Sequence, residues 1–401
     1  MLRRSGCLGC WVVLVALAGC PGDDSASNVL DDDSTAPPRS EDAVAYSIDP
    51  SARKMEIRKY EGAGGSLLWA ASIPDAFAGS ALLERDGNVT AWTKGCCAAV
   101  DVMRVHRIDG KTGALAWSAS QPSVSWPPQI LVHANQDLTV SSLDAENRSW
   151  LVRRYGAQDG TIVWSISDSS GGGRIALDGN QDVLVSTSDM FLGVPVTVSK
   201  YAGSTGARIW STTLAGDDAE LLPDAEGNVT VHAASGVDTR VSKLQGTSGA
   251  ILWSASHPNA GVAVLDPGRN VITWGTAPRS RSTTLRKYAA DSGALIWSAT
   301  QPGLRNSLHI DSKEDVIAHT SDSDLAEPVK VRKYDRVSGE PLWSLSLTGY
   351  GGSVLDPRSN LLLFTFDDSW TFTIRKYDGL TGTLRWTASQ PGAFGSVLVD
   401  R

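Results

Sequence analysis

The stretch Ile374-Arg375-Lys376-Tyr377-Asp378-Gly379-Leu380-Thr381-Gly382-Thr383-Leu384-Arg385-Trp386 decides the fold, because its spacing returns along the whole chain. Tryptophan recurs at Trp69, Trp117, Trp164, Trp210, Trp253, Trp297, Trp343 and Trp386, at intervals of 43 to 48 residues. Four positions before each stands a glycine: Gly65, Gly113, Gly160, Gly206, Gly249, Gly293, Gly339 and Gly382. Ten before is a cation, Lys59, Arg107, Arg154, Lys200, Lys243, Lys287, Lys333 or Lys376, and twelve before is Ile, Val or Leu. Tyrosine fills the position nine before in six copies. A fixed period of this size means one small unit built eight times, as in a propeller or a solenoid.

The copy from Gly261 to Ser298 shows the unit. Val262 to Leu265 and Val271 to Trp274 read as strands about the turn cluster Asp266-Pro267-Gly268-Arg269-Asn270. Thr284 to Tyr288 is a third strand, and Ala294 to Ser298 a fourth that carries the tryptophan. Four strands in a meander make a propeller blade. Asn or Asp precedes the second strand in seven copies, since short Asx side chains bond their own turn backbone. The Asn-Val-Thr matches at Asn88 and Asn228 are read as such turns rather than glycosylation sites. Ala43 to Ile48, Met55 to Tyr60 and Leu67 to Ser72 supply only three strands, and Phe394 to Asp400 only a first strand. Pairing the two fragments gives an all-β, eight-bladed propeller over residues 42–401, closed by the C-terminal strand in the N-terminal blade, which removes exposed sheet edges. The indoles are expected to wedge between blades with their N–H groups on carbonyls.

Arg3 and Arg4, the apolar run Cys10 to Leu17, and Leu17-Ala18-Gly19-Cys20 read as a secretory signal over residues 1–19, too short to span a bilayer. Leu-Ala-Gly-Cys resembles the bacterial lipobox. That resemblance makes Cys20 the acylated first residue of a lipoprotein, and Pro21 in place of Asp points to the outer membrane rather than the inner. An ordinary signal peptide with a chance cysteine is the alternative. Residues 20–41 form an acidic, Ser- and Pro-rich tether with little to bury. The net charge of -8, two units lower after loss of Arg3 and Arg4, argues against nucleic acid as partner. A monomeric propeller on a lipid anchor is expected.

Thr112-Gly113-Ala114-Leu115-Ala116-Trp117 and Asp378 to Trp386 resemble the Asp-x-x-Thr-Gly-x-x-x-Trp core of the quinoprotein, or PQQ-like, propeller repeat. The resemblance covers all eight blades. Lys or Arg stands where that pattern has Ala, and the leading aspartate survives only at Asp109, Asp335 and Asp378. The family holds PQQ-dependent dehydrogenases and also a lipid-anchored propeller of the machinery that assembles outer-membrane β-barrels, which this chain is similar to in length, anchor and blade count.

The resemblance makes Cys96-Cys97 a possible vicinal disulfide beneath PQQ, against a structural or incidental pair. Adjacent Cα atoms about 3.8 Å apart lie below the usual disulfide range. A quinoprotein oxidoreductase would also need Ca²⁺ on carboxylate and amide oxygens, and the even intervals leave little room for the segments that carry them. The six histidines show no paired metal-ligand spacing, and no nucleophile elbow or phosphate loop is present. Asp322, Asp324 and Glu327 read as an exposed acidic loop before a Ca²⁺ loop. No catalytic residue, metal or cofactor is therefore assigned.

Two surfaces remain. The basic row should lie at the same end of the blades as Asp178, Asp224, Asp266, Asp311, Asp356 and Asp400, as mutual salt bridges or as an anion-binding ring. The opposite, less regular face should carry Phe77, Cys96, Cys97, Trp126, Trp150, Met190, Phe191, Leu192 and Trp370. These either mark a protein partner site, with Trp126, Met190, Phe191, Leu192 and Trp370 at its centre, or plug the blade tops. A carbohydrate- or cell-wall-binding module would use the same face.

Overall fold

A computed structural model describes residues 43–391 and Leu14–Val15, apart from residues 50–51, 62–65, 96–101, 123–127, 145–148, 170–171, 190–193, 217, 236–237, 259–260, 278, 322–327, 357 and 367–370. The described residues form eight four-stranded antiparallel sheets and no helix, the blades of a β-propeller. Counted along the chain they run over residues 43–74, 78–122, 129–168, 173–214, 218–258, 261–302, 304–347 and 350–391. One compact unit holds the first three sheets with Ser204–Gly206, and a second holds the other five.

In the sixth sheet the strands are Gly261–Leu265, Val271–Ala277, Ser282–Tyr288 and Leu295–Pro302. The fourth therefore runs past the expected Ser298, because Trp297 and Gln301 keep alternating into the interior. In the first sheet, Leu14–Val15 lies antiparallel beside Ala43–Asp49, with Leu14 opposite Tyr46. That edge is the one to which the sequence assigns Phe394 to Asp400, which lies outside the described residues.

All eight sheets share one irregularity. The third and fourth strands slip register between the cation and the residue after it, so that Lys59 faces Trp69 while Tyr60 faces Leu67. The slip leaves two consecutive fourth-strand residues outward, and Leu67, Leu68, Ile251, Leu252, Leu295 and Ile296 are all about half exposed.

The cores lie between neighbouring sheets. Met103, Val105 and Trp117 of the second sheet pack with Leu138, Val140 and Tyr155 of the third. Ile272, Trp274, Leu285 and Trp297 of the sixth pack with Val316, Ala318 and Tyr334 of the seventh. The glycine of the repeat has two causes, seen at Gly249. Its φ is +70°, and an added Cβ would stand 2.6 Å from Cε3 of Trp210 in the preceding sheet.

Candidate functional site

The basic row builds a latch between successive sheets. Lys59 Nζ and Trp69 Nε1 both donate to the carbonyl of Gly110, at 3.1 and 2.9 Å. Arg107 and Trp117 donate to Ala157, Lys200 and Trp210 to Gly246, and Lys243 and Trp253 to Ala290. Lys287 and Trp297 share Arg336, and Lys333 and Trp343 share Gly379. Each acceptor lies three residues before the glycine of the following copy. One carbonyl thus ties a cation and an indole of one sheet to the third turn of the next.

The other side of the cation meets the carboxylate that ends the first strand of its own sheet. Lys200 lies 2.6 Å from Asp178, Lys243 3.0 Å from Asp224, Lys287 2.7 Å from Asp266, Lys333 2.5 Å from Asp311 and Lys376 2.6 Å from Asp356. In the second sheet Glu84 takes this place, 2.6 Å from Arg107. In the third His133 stands there instead, and Arg154 turns to Asp137 at 2.9 Å. Of the two readings of the row, the structure shows ion pairs, and Lys333 is only 1% exposed. Burial opposes the charge on Lys200, yet the hydrogen bond and charge of Asp178 raise its pKa. Burial pushes Glu84 up, against the pull of Thr90 and Arg107. Asp400, the expected partner of Lys59, lies outside the described residues.

The last copy differs. Trp386 is 43% exposed, where the indoles from Trp69 to Trp297 are nearly covered. The turn before Gly65 that would receive it lies outside the described residues.

Of the residues expected on the opposite face, Cys96, Cys97, Trp126, Met190, Phe191, Leu192 and Trp370 lie outside the described residues, as do Cys20, Asp322, Asp324 and Glu327. Phe77 is half exposed, and its N–H donates to Lys94 O at 2.7 Å. It therefore stands beside the end of the strand Val89–Lys94. Of the two readings of that face, a partner site or a plug, Trp150 follows the second. It is 5% exposed, because its strand Ser149–Tyr155 is packed on both sides.

The structure also joins residues that no spacing connects. Ser353 Oγ of the eighth sheet lies 2.9 Å from His309 Nε2, 3.2 Å from His319 Nδ1 and 2.7 Å from Ser307 Oγ of the seventh. A serine beside imidazole suggests a nucleophile and its base, but a triad needs the outer imidazole nitrogen held by an acid. His319 Nε2 is buried with no hydrogen-bond partner. Burial pushes the pKa of His319 down to about 3. Among the described residues no three His, Cys, Asp or Glu side chains group as metal ligands. The cluster is a packed polar seam between two sheets.

A family model described as outer membrane protein assembly factor BamB matches residues 147–277 and 281–399, more than half of the chain. The chain belongs to the BamB family. A comparison with curated protein sequences returns no match. Among solved structures, a eukaryotic initiation factor aligns at TM-score 0.62 with 12% identity, over 86% of this chain and 87% of that one. The dihydro-heme d1 dehydrogenase NirN aligns at 0.52 with 13% identity, over 89% and 76%. BamB from Moraxella catarrhalis aligns at 0.48 with 16% identity, over 78% and 87%. At such identities the first two likenesses speak for the propeller fold alone.

Proposed function

We propose that this BamB-family chain is a lipid-anchored envelope protein whose propeller is a non-catalytic scaffold for a protein partner, in outer-membrane protein assembly. The observation that carries the reading is how the repeat spends its chemistry. Of the cations that recur in every blade, the seven from Arg107 to Lys376 are each paired with a carboxylate, and Lys59 is held on carbonyl oxygens. A quinone with Ca²⁺ would need carboxylates that these cations do not already hold. What varies between copies is the loop set at the other end, including Phe77 and the sequence around Trp126, Phe191 and Trp370. Irregular loops on a regular scaffold suit partner recognition.

The family description speaks for outer-membrane assembly, and Leu-Ala-Gly-Cys for an anchor at Cys20. No described helix is long and apolar enough to cross a membrane. The test is a photo-crosslinking side chain at position 77, and at 126, 191 and 370, in the full lipoprotein in cells. A discrete adduct with a component of the outer-membrane assembly machinery is expected from these positions. None is expected from position 295, on the outer strand. Equal labelling from all positions, or no defect in outer-membrane β-barrel assembly on depletion, would reject the scaffold role.

A further inference from the structure

Equivalent crevices at the latch ends of the sheets differ in charge. Between the second and third sheets, Asp86 and Asp109 outweigh Arg107. Between the seventh and eighth, Lys313, Lys333, Arg358 and Arg385 face Asp311 and Asp378, a net +2 in a chain of net -8. Lys333 is held in the latch by both Asp311 and Asp315, and Arg385 is bonded to Asp378. Lys313 and Arg358 are exposed and form no ion pair among the described residues.

Three of these cations are departures from the repeat. At the third position of the first turn the other copies carry Asp86, Asn135, Asn180, Glu226 and Gly268, and only the last two carry a cation, Lys313 and Arg358. At the position before the tryptophan seven copies have an aliphatic residue, and the eighth has Arg385. The latch forms in sheets that lack all three, so the scaffold does not require them. Independent departures in neighbouring sheets nevertheless converge on one crevice of about 250 Å³. Ser359 Oγ donates to Ser312 Oγ at 2.9 Å, which leaves the Ser312 hydroxyl hydrogen as a further donor there. Leu380, 61% exposed, forms an apolar wall.

We propose that the crevice between the seventh and eighth sheets binds a phosphate group. Lys313 and Arg358 are two cations with no carboxylate of their own among the described residues, which a dianion matches and one carboxylate would leave half matched. Guanidinium and hydroxyl donors suit tetrahedral oxygens, and Leu380 can cover carbon attached to them. A phospholipid headgroup and free phosphate share this chemistry.

The test is calorimetric titration of the full chain in detergent at low salt, with inorganic phosphate, glycerol 3-phosphate and the tripeptide Ac-Asp-Asp-Asp-NH2 in turn. Phosphate should bind at one site. Lys313→Gln and Arg358→Gln should each weaken it about tenfold, with circular dichroism unchanged because both side chains are exposed. Arg269→Gln, an exposed cation paired with Glu226, should leave the affinity as it was. Tighter binding of glycerol 3-phosphate assigns the site to a headgroup, and equal binding to free phosphate. No saturable phosphate binding, or binding that neither variant weakens, overturns the proposal. Binding of the tripeptide alone also overturns it and makes the crevice a carboxylate site for a protein.

Discussion

Replacing Lys333 by Met in the seventh sheet removes the most enclosed cation of the basic row while keeping its apolar stem. The amine is 1% exposed and contacts Asp311 Oδ2 at 2.5 Å, Asp315 Oδ2 at 3.1 Å and Gly379 O at 3.0 Å. Gly379 O keeps its bond from Trp343 Nε1, but the Asp311 carboxylate, 2% exposed, is left buried and unpaired. Breaking a buried pair from one side costs about 3 to 5 kcal/mol, mostly through the stranded charge. Asp311→Asn on top of Lys333→Met removes that charge and retains Oδ1, which accepts from the N–H groups of Lys313 and Asp315 at 2.9 Å. The double variant should therefore recover about half of the loss, although each change alone is destabilising. Lys54→Met is the control. The amine and its partner Glu56 are both open to solvent, so the change should leave the urea midpoint nearly where it was. Urea unfolding followed by circular dichroism measures all four chains, with equal m-values as the condition for comparing them. A cost below about 1 kcal/mol for Lys333→Met, or a double variant no more stable than the single, would refute the latch as an energetic element.

Gly249→Ala should lower stability by roughly 2 to 5 kcal/mol, since it adds left-handed strain to a collision with the Trp210 ring. A thermal melt unchanged from wild type would show the turn to be free to move. Truncating Trp253 to Ala should cost about 3 to 5 kcal/mol in the same urea assay, and a smaller loss would mean that the indole is not an interblade wedge. Burial holds His106 and His133 down to about 4, below the 6.5 of an unfolded chain, so the unfolded state binds protons first. Stability should be complete above pH 6.5 and fall as pH drops towards 4, by roughly 3 kcal/mol for each of these two histidines. A flat urea midpoint over that interval would contradict their burial as neutral rings.

The sequence displays the fold because the repeat depends on side chains with few substitutes. Only glycine takes the left-handed turn against an indole, and only a large flat ring fills the interblade gap, so Gly and Trp mark each copy at fixed spacing. The carboxylate partners of the lysines were legible as a row at the same end of the strands. The shared acceptor was not, since a backbone carbonyl leaves no residue type behind. The register slip that exposes Leu67 with Leu68 was equally silent, because it changes pairing and not composition. Ser353, His309 and His319 meet only through packing of two sheets. Gln121 and Tyr155, and Gln301 and Tyr334, meet across neighbouring sheets in the same way, at 2.8 and 2.9 Å. For Trp150 the sequence left an exposed partner site and a packed plug both open, and its strand Ser149–Tyr155 turns it inward. Of the other residues read onto that face, the structure places Phe77, half exposed beside Lys94.

Calorimetric titration of PQQ, with and without Ca²⁺, into the folded full chain bears most directly on whether the propeller is a scaffold or an enzyme. A scaffold gives no saturable heat in either condition. Saturable, Ca²⁺-dependent binding that Cys96→Ser and Cys97→Ser weaken would contradict the scaffold reading and make the chain a quinoprotein.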